Sequence, residues 1–409
     1  WNRNYQTKMF MFNTSNRLLQ TLSKTRASLN YPMLNYSKKS NGGPTLETLR
    51  DQLASLNSER DKVRDAIKNY VPEGKRKILM LGAGLSSTQA IRYLLSQAGE
   101  NNWFLKVGDS NLSNARAKVG DSPHGVAFKF DYSPDNEEAL SKEVESADMV
   151  ISLLPMALHP EVAKHCLAHN KHLVTASYTS PAMAEFHTRA QEKDLLFLNE
   201  VGLDPGLDHM ISMKTINAIR AKQGDLKAFE SFTGGLVAPE SDDNPWGYKF
   251  SWNPRNVVLA GQGGCKFIQQ GRYKYIPYHK TFQRSELLQV EGVGTLEGYA
   301  NRDSLKYRKL YGLESVPTMY RGTLRQPGFC EAWDIFVQLG MTDDTIVIED
   351  SQHMTYREFI NSFLFYSPND SVELKLAYLM KMSIDSPVFS KLRWLGIFDD
   401  RLIGLGKIR

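Results

Sequence analysis

From residue 45 onward the chain alternates amphipathic stretches with short apolar runs. Over residues 45–70, Leu46, Leu49, Leu53, Leu56, Val63 and Ile67 recur at helical spacing, with charges on the other face. The pattern predicts one helix, started by Thr45 and ended by Pro72 and Gly74. Packing against the main body is its expected role; a linker is the alternative. Apolar runs then follow at 78–81, 103–107, 126–130, 149–154, 172–176 and 195–198. Each is short enough for a strand buried on both faces. Helical stretches separate them, notably 160–170 and 181–192. This alternation predicts an α/β fold with a doubly wound parallel sheet over residues 75–203. Strand-like runs at 229–232, 257–260 and 273–278, with helical ones at 356–365 and 373–382, predict an α+β second domain over 204–385. Residues 386–409 are expected to return to the first domain.

Composition narrows the class. The chain has 409 residues, which suits two or three domains. Its 41% hydrophobic and 23% charged residues are ordinary globular usage and exclude a collagen-like or wholly disordered chain. A net charge of +5 over this length is too slight to argue for nucleic acid. No apolar run reaches the length of a membrane-spanning helix, so no membrane role is expected. Three cysteines, Cys166, Cys265 and Cys330, cannot build a disulfide framework and read as free thiols.

Charge is unevenly placed. The first acidic residue is Glu47, and before it stand Arg3, Lys8, Arg17, Lys24, Arg26, Lys38 and Lys39 among serines. An acid-free, basic, Ser-containing segment has the composition of an organelle transit peptide. A flexible basic tail, or sequence upstream of Met9 or Met11, is the alternative. With import the destination is the mitochondrial matrix; otherwise the cytoplasm. Residues 1–44 are set apart from the fold on this ground, and 45–74 form the helix and linker.

The chemistry begins after the first apolar run. Ile78–Leu81 leads directly into Gly82-Ala83-Gly84-Leu85-Ser86-Ser87, and Ala90, Ile91, Leu94 and Leu95 then repeat at helical spacing. Strand, glycine turn and helix in that order are the context of a Rossmann-type dinucleotide site. Gly82 permits the turn, Gly84 lets the backbone approach a pyrophosphate, and the pyrophosphate lies on the helix N-terminus. Ser87 replaces the third glycine and is small enough for close packing. Asp109 ends the second run, somewhat beyond the usual ~20 positions from the first glycine. A carboxylate there accepts from ribose hydroxyls and repels a 2′-phosphate, favouring NAD over NADP. A plain turn aspartate is the bland alternative, and nearby Arg116 and Lys118 leave NADP open. Ligands of such sheets bind at the carboxyl ends of the strands. That position selects Asp131, Leu154, Pro155, Met156, Ser177, Tyr178 and Glu200.

Longer motifs carry a resemblance. They are VISLLP (150–155) with LHP (158–160), VTASY (174–178), SPAM (180–183), EVGLDPGLDH (200–209), NPWGYKFSW (244–252), EGYANRDS (297–304) and RGTLR (321–325). From about Lys77 onward the chain resembles the glutamate-forming saccharopine dehydrogenases, which also form the second half of the bifunctional aminoadipic semialdehyde synthases. The resemblance implies a dinucleotide domain followed by an α+β domain for substrate and dimerisation, hence a homodimer. It implies NAD- or NADP-dependent oxidation of L-saccharopine to L-glutamate and 2-aminoadipate 6-semialdehyde, in lysine metabolism. It also implies a closing tail beyond the terminal GLGKIR. A related oxidoreductase acting on another amino-acid secondary amine, carboxynorspermidine-like, and a non-catalytic dinucleotide-binding scaffold are the alternatives.

By position, the resemblance implies cofactor contacts for Gly82, Gly84, Ser86, Ser87, Asp109, Asp131, Leu153 and Leu154. It implies substrate contacts for Pro155, Met156, Ala182, Met183, Arg302, Asp303 and Ser304. Two positions depart from the family: Met156 stands where tyrosine is frequent, and Phe232-Thr233 where an aromatic–cysteine pair is usual. A substrate with three carboxylates calls for cationic clamps, and Arg302, Arg321, Arg325 and Lys249 are the candidates. Hydrolysis of the product imine needs proton transfer, for which Asp204 is the first choice beside Asp208, His209, Glu200 and Tyr178; a bulk water would serve instead. His165 and His169 have metal-ligand spacing but lack the accompanying glutamate, so no metal is expected. The glycines at 261–264 read as a bend.

Overall fold

The structure, a computed structural model, describes residues 45–69, 74–133, 136–259 and 262–404. The basic segment 1–44 and the import signal read there lie outside these residues, as do Gly261 and 405–409. The first helix, α1 (Leu46–Asn69), starts at Thr45, whose Oγ1 accepts the Thr48 N–H at 3.2 Å. Leu46, Leu49, Leu53 and Leu56 are all exposed.

The first lobe alternates β1 (Arg76–Leu81), α2 (Thr88–Gln97), β2 (Trp103–Asp109), α3 (Leu112–Val119), β3 (Gly125–Lys129), α4 (Glu137–Glu145), β4 (Met149–Ser152), α5 (His159–Ala168), β5 (His172–Thr175), α6 (Pro181–Ala184), α7 (His187–Glu192) and β6 (Phe197–Leu198). The six strands form one parallel sheet in the order β3-β2-β1-β4-β5-β6. Period two assigns the faces of β1. Leu79 and Leu81 join Val162, Ala163 and Cys166 of α5, while Ile78 and Met80 join Ile91 and Leu95 of α2. A sheet covered on both faces explains why these runs are uninterruptedly apolar. The strand order reverses between β1 and β4, so the loops after these two strands open a crevice at the carboxyl edge.

The second lobe comprises α8 (Leu207–Ala221), β7 (Phe229–Thr233), α9 (Pro254–Val258), β8 (Cys265–Gln269), β9 (Arg272–Ile276), β10 (Glu286–Val290), β11 (Gly294–Ala300), β12 (Met319–Arg325), α10 (Phe329–Gln338), α11 (Tyr356–Asn361), α12 (Val372–Met380) and α13 (Pro387–Trp394). Its sheet runs β10-β11-β12-β8-β9, with β7 parallel to β12. Two expectations are corrected. The run 257–260 is not a strand: Asn253 caps Arg255 N–H at 3.1 Å, Pro254 opens α9, and Ala260 lies outside the described residues. The described part of the segment after residue 386, expected at the first lobe, packs into the second lobe's core. Val388, Phe389 and Leu392 of α13 close the second lobe's own core against Trp246, Phe329 and Trp333. The Trp246 indole N–H donates to the Lys391 carbonyl at 3.1 Å. Among the described residues no helix is long and apolar enough to cross a membrane.

Candidate active site at the carboxyl edge

The glycine turn sits at the strand-order reversal. Gly82 has φ +100°, and a Cβ there would lie 2.7 Å from the Leu153 carbonyl oxygen at the end of β4. Only glycine satisfies both conditions. Gly84 has ordinary backbone angles, and a Cβ built on it meets nothing within 4 Å. Open space in front of that backbone is the cradle a dinucleotide's pyrophosphate requires. Gly84, Leu85 and Ser86 are exposed, while Ser87 is buried. The Ser87 hydroxyl does more than fit. It donates to the Gly84 carbonyl at 2.9 Å and accepts from Lys118 Nζ at 3.0 Å.

Asp109, at the end of β2, reaches the same turn. Its Oδ2 accepts the Ala83 N–H at 2.6 Å, and its Oδ1 accepts the Asn111 N–H at 2.8 Å. The carboxylate therefore stands against the loop at the place expected of a ribose acceptor. Asp131 follows β3, one strand farther out, with an exposed side chain. Leu153 and Leu154 follow β4, half-buried. Pro155 and Met156 come next and are exposed, Met156 at 45%. Together these residues fit a nicotinamide dinucleotide laid across the sheet edge.

The ends of β4 and β5 are held by an uncharged link. His159 is buried, its Nδ1 within 2.9 Å of Ser152 Oγ and its Nε2 within 2.8 Å of Ser177 Oγ. Burial lowers its pKa to about 4, so the imidazole is neutral at physiological pH. Ala182 of α6 is exposed. Met183, beside it, is 4% exposed and packs in the first lobe's core.

All five proton-transfer candidates fall into one region, where the two lobes meet. The Tyr178 hydroxyl donates to Asp204 Oδ1 at 2.6 Å. Arg321 reaches Asp204 Oδ1 at 2.9 Å and Asp208 Oδ2 at 2.6 Å, and Asn301 donates to Asp204 Oδ2 at 3.4 Å. Beside this group, His209 Nε2 lies 2.9 Å from Glu200 Oε2, its Nδ1 meets the Tyr311 hydroxyl, and Tyr307 donates to Glu200 at 3.1 Å. Burial, then the neighbouring carboxylates of Asp204 and Glu200, raise the pKa values of Tyr178 and Tyr307 respectively, so both phenols stay protonated. Both Asp204 oxygens therefore accept hydrogen bonds from within the protein. Asp204 orders Tyr178 and Arg321.

The four clamp candidates separate by partner. Arg321 is committed to Asp204 and Asp208. Arg325 is buried among the rings of Tyr248, Tyr299 and Phe329. Lys249 pairs with Asp243 at 2.8 Å. Arg302 is exposed, and among the described residues no carboxylate pairs with it. Its guanidinium carbon lies 5.6 Å from the Tyr178 ring centroid, beside the carboxyl end of β5. Its motif neighbours are structural. Asp303 accepts the Leu305 N–H at 2.9 Å and pairs with Lys266 at 2.9 Å, and buried Ser304 accepts the Arg321 N–H at 2.9 Å. Both side chains have partners within the protein.

Residue spacing left His159, Asn301 and Tyr311 without a role, and gave Lys118 only as a cation that leaves NADP open. Lys118 carried a signal as a cation following a candidate ribose carboxylate. The others depend on contacts between distant segments. Among the described residues no cluster of His, Cys, Asp and Glu is arranged to hold a metal.

Comparison with known proteins gives two adjoining matches. The family model for the saccharopine dehydrogenase NADP binding domain matches residues 78–198, and that for the saccharopine dehydrogenase C-terminal domain matches residues 202–401. The saccharopine dehydrogenase (NADP(+), L-glutamate-forming) of Schizosaccharomyces pombe is 33% identical over 332 residues, covering 79% of this chain and 73% of that protein. The mitochondrial alpha-aminoadipic semialdehyde synthase of Bos taurus is 34% identical over 340 residues, 80% of this chain. The matched segment is 36% of that protein, so this chain spans about a third of its length. The solved structure of apo saccharopine dehydrogenase (L-Glu forming) from Saccharomyces cerevisiae superposes with a TM-score of 0.66 at 30% identity, covering 80% of this chain and 73% of that one.

Proposed function

Because the chain belongs to the glutamate-forming saccharopine dehydrogenase family, we propose that it oxidises L-saccharopine to L-glutamate and 2-aminoadipate 6-semialdehyde with a nicotinamide dinucleotide. The carrying observation is the position of Arg302, an exposed guanidinium held against Tyr178 at the carboxyl edge where the glycine turn opens. A bidentate grip on a substrate carboxylate is the natural use of an unpaired arginine there.

The nicotinamide, when bound, accepts the hydride from the substrate carbon next to the secondary nitrogen. This chain supplies position and charge. Gly82 and Gly84 set the loop on which the phosphates rest, and Asp109 offers its carboxylate to the ribose, which favours NAD. Arg302 orients the polyanionic substrate. Tyr178, kept protonated, presents an orienting ring and hydroxyl beside it. Oxidation leaves an imine, water adds, and the carbinolamine collapses to aldehyde and glutamate. Asp204 is assigned a positioning role, with water as the proton acceptor of the hydrolytic half. The mammalian relatives are named as mitochondrial, which agrees with an import reading of the acid-free N-terminal segment. The test follows reduced-nicotinamide absorbance with saccharopine and each cofactor in turn. Turnover with either supports the reading, and none with both sinks it.

A further inference from the structure

Helix α1 carries an apolar seam of a particular width. Leu46, Leu49, Leu53 and Leu56 stand alternately three and four residues apart, and all four are exposed. In the sequence the same spacing runs on through Arg60, Val63 and Ile67, so a heptad with these residues at a and d repeats along the helix. The flanking positions are polar, with Arg50 and Asn57 at e and Gln52 and Glu59 at g. A helix that packs on a globular body adds e or g to its apolar face, whereas a strict a/d seam has the width of one partner helix. A 3.5-residue period also keeps its seam in contact only where two helices coil around each other.

Charge selects the partner and its direction. In a parallel pair of identical helices, a g residue faces the e residue five positions on in the other copy. Glu59 then meets Arg64 of the other copy, opposite charge to opposite charge, and Gln52 meets Asn57. An antiparallel pair would set Glu59 against Glu59 and Arg50 against Arg64, like against like. Arg60 at an a position suits two strands, where a long side chain at the seam reaches water, and not the closed core of three or four. We infer that α1 is a dimerisation helix, forming a parallel, in-register coiled coil with α1 of a second copy of this chain. This is independent of the dinucleotide and substrate readings.

Cysteine cross-linking in the full chain tests the register. The three native cysteines are buried, which leaves an introduced thiol as the reactive one. L49C and L56C place that thiol at d, where parallel helices in register bring the two copies of one residue within disulfide reach. S58C places it at f, on the outer face. Under mild oxidation, L49C and L56C are expected to form a covalent dimer at least about tenfold faster than S58C. Adding E59R to L56C should slow the cross-link about fivefold, and adding R64E as well should restore it to within about twofold. Equal rates at d and f would reduce the contact to random encounter and overturn the proposal. So would no cross-link at either d position, which would mean that the seam is covered by this chain's own body or by another partner. A charge swap that restores nothing would overturn the parallel register.

Discussion

The Tyr178 hydroxyl donates to Asp204 Oδ1 at 2.6 Å, tying the carboxyl end of β5 to the first residues of the second lobe. The same oxygen accepts from Arg321, whose side chain is 6% exposed. Tyr178→Phe removes one bond to a carboxylate that keeps two other partners, and should lower unfolding free energy by roughly 1–2 kcal/mol. Asp204→Ala leaves a buried guanidinium with Asp208 alone and should cost more, about 3 kcal/mol. Urea unfolding of both variants checks the order; a larger loss for the tyrosine variant would contradict it.

Arg302→Ala should raise the saccharopine KM about 10- to 100-fold, the value of a charge-assisted bond, and move the cofactor KM little. Steady-state kinetics with each substrate varied in turn gives the comparison. Equal effects on the two KM values would argue against a substrate clamp.

Glu200 sets an acid limit. Burial alone would raise its pKa, but hydrogen bonds from His209, the Thr179 N–H and Tyr307, with the charge of Lys306, hold it at about 2 against an ordinary 4.5. A carboxyl depressed on folding stabilises the protein above its unfolded pKa and loses that contribution as pH falls through the folded one. The window is therefore about pH 4.5 down to 2, and the contribution at neutral pH is on the order of 3 kcal/mol. Glu200→Gln should flatten the acid limb of stability against pH. An unchanged limb would remove Glu200 as its source.

The two turn glycines should fail differently. Gly82→Ala meets the Leu153 carbonyl at 2.7 Å in a left-handed backbone and should cost roughly 2–3 kcal/mol or more in stability. Gly84→Ala meets no protein atom and should keep its Tm while weakening dinucleotide binding. Thermal unfolding and binding, measured together, separate the two. A destabilised Gly84→Ala would mean that the space before it is not reserved for ligand.

Much of the first lobe was legible because a doubly covered parallel sheet writes itself as apolar runs, and a glycine turn between strand and helix has few other uses. Arg302 was singled out by its motif, and its place beside Tyr178 comes from the fold. What escaped is non-local. Nothing in the run 257–260 distinguishes a strand from a one-turn helix until the Asn253 cap is seen. Arg321 was a clamp candidate behind Arg302, and only its distances to Asp204 and Asp208 show that its charge is already matched. Met183 and Ala182 are adjacent in sequence, yet the helix turns one into the core and the other to solvent.

The position of α13 bears on how the chain is made. The second lobe's aromatic core is completed by Val388, Phe389 and Leu392, close to the end of the described chain. While the ribosome is still at work, the first lobe has every strand it needs, but Trp246 and Trp333 still lack their last cover. Nascent chains should therefore expose a sticky aromatic surface until α13 has emerged and packed, a natural landing place for chaperones.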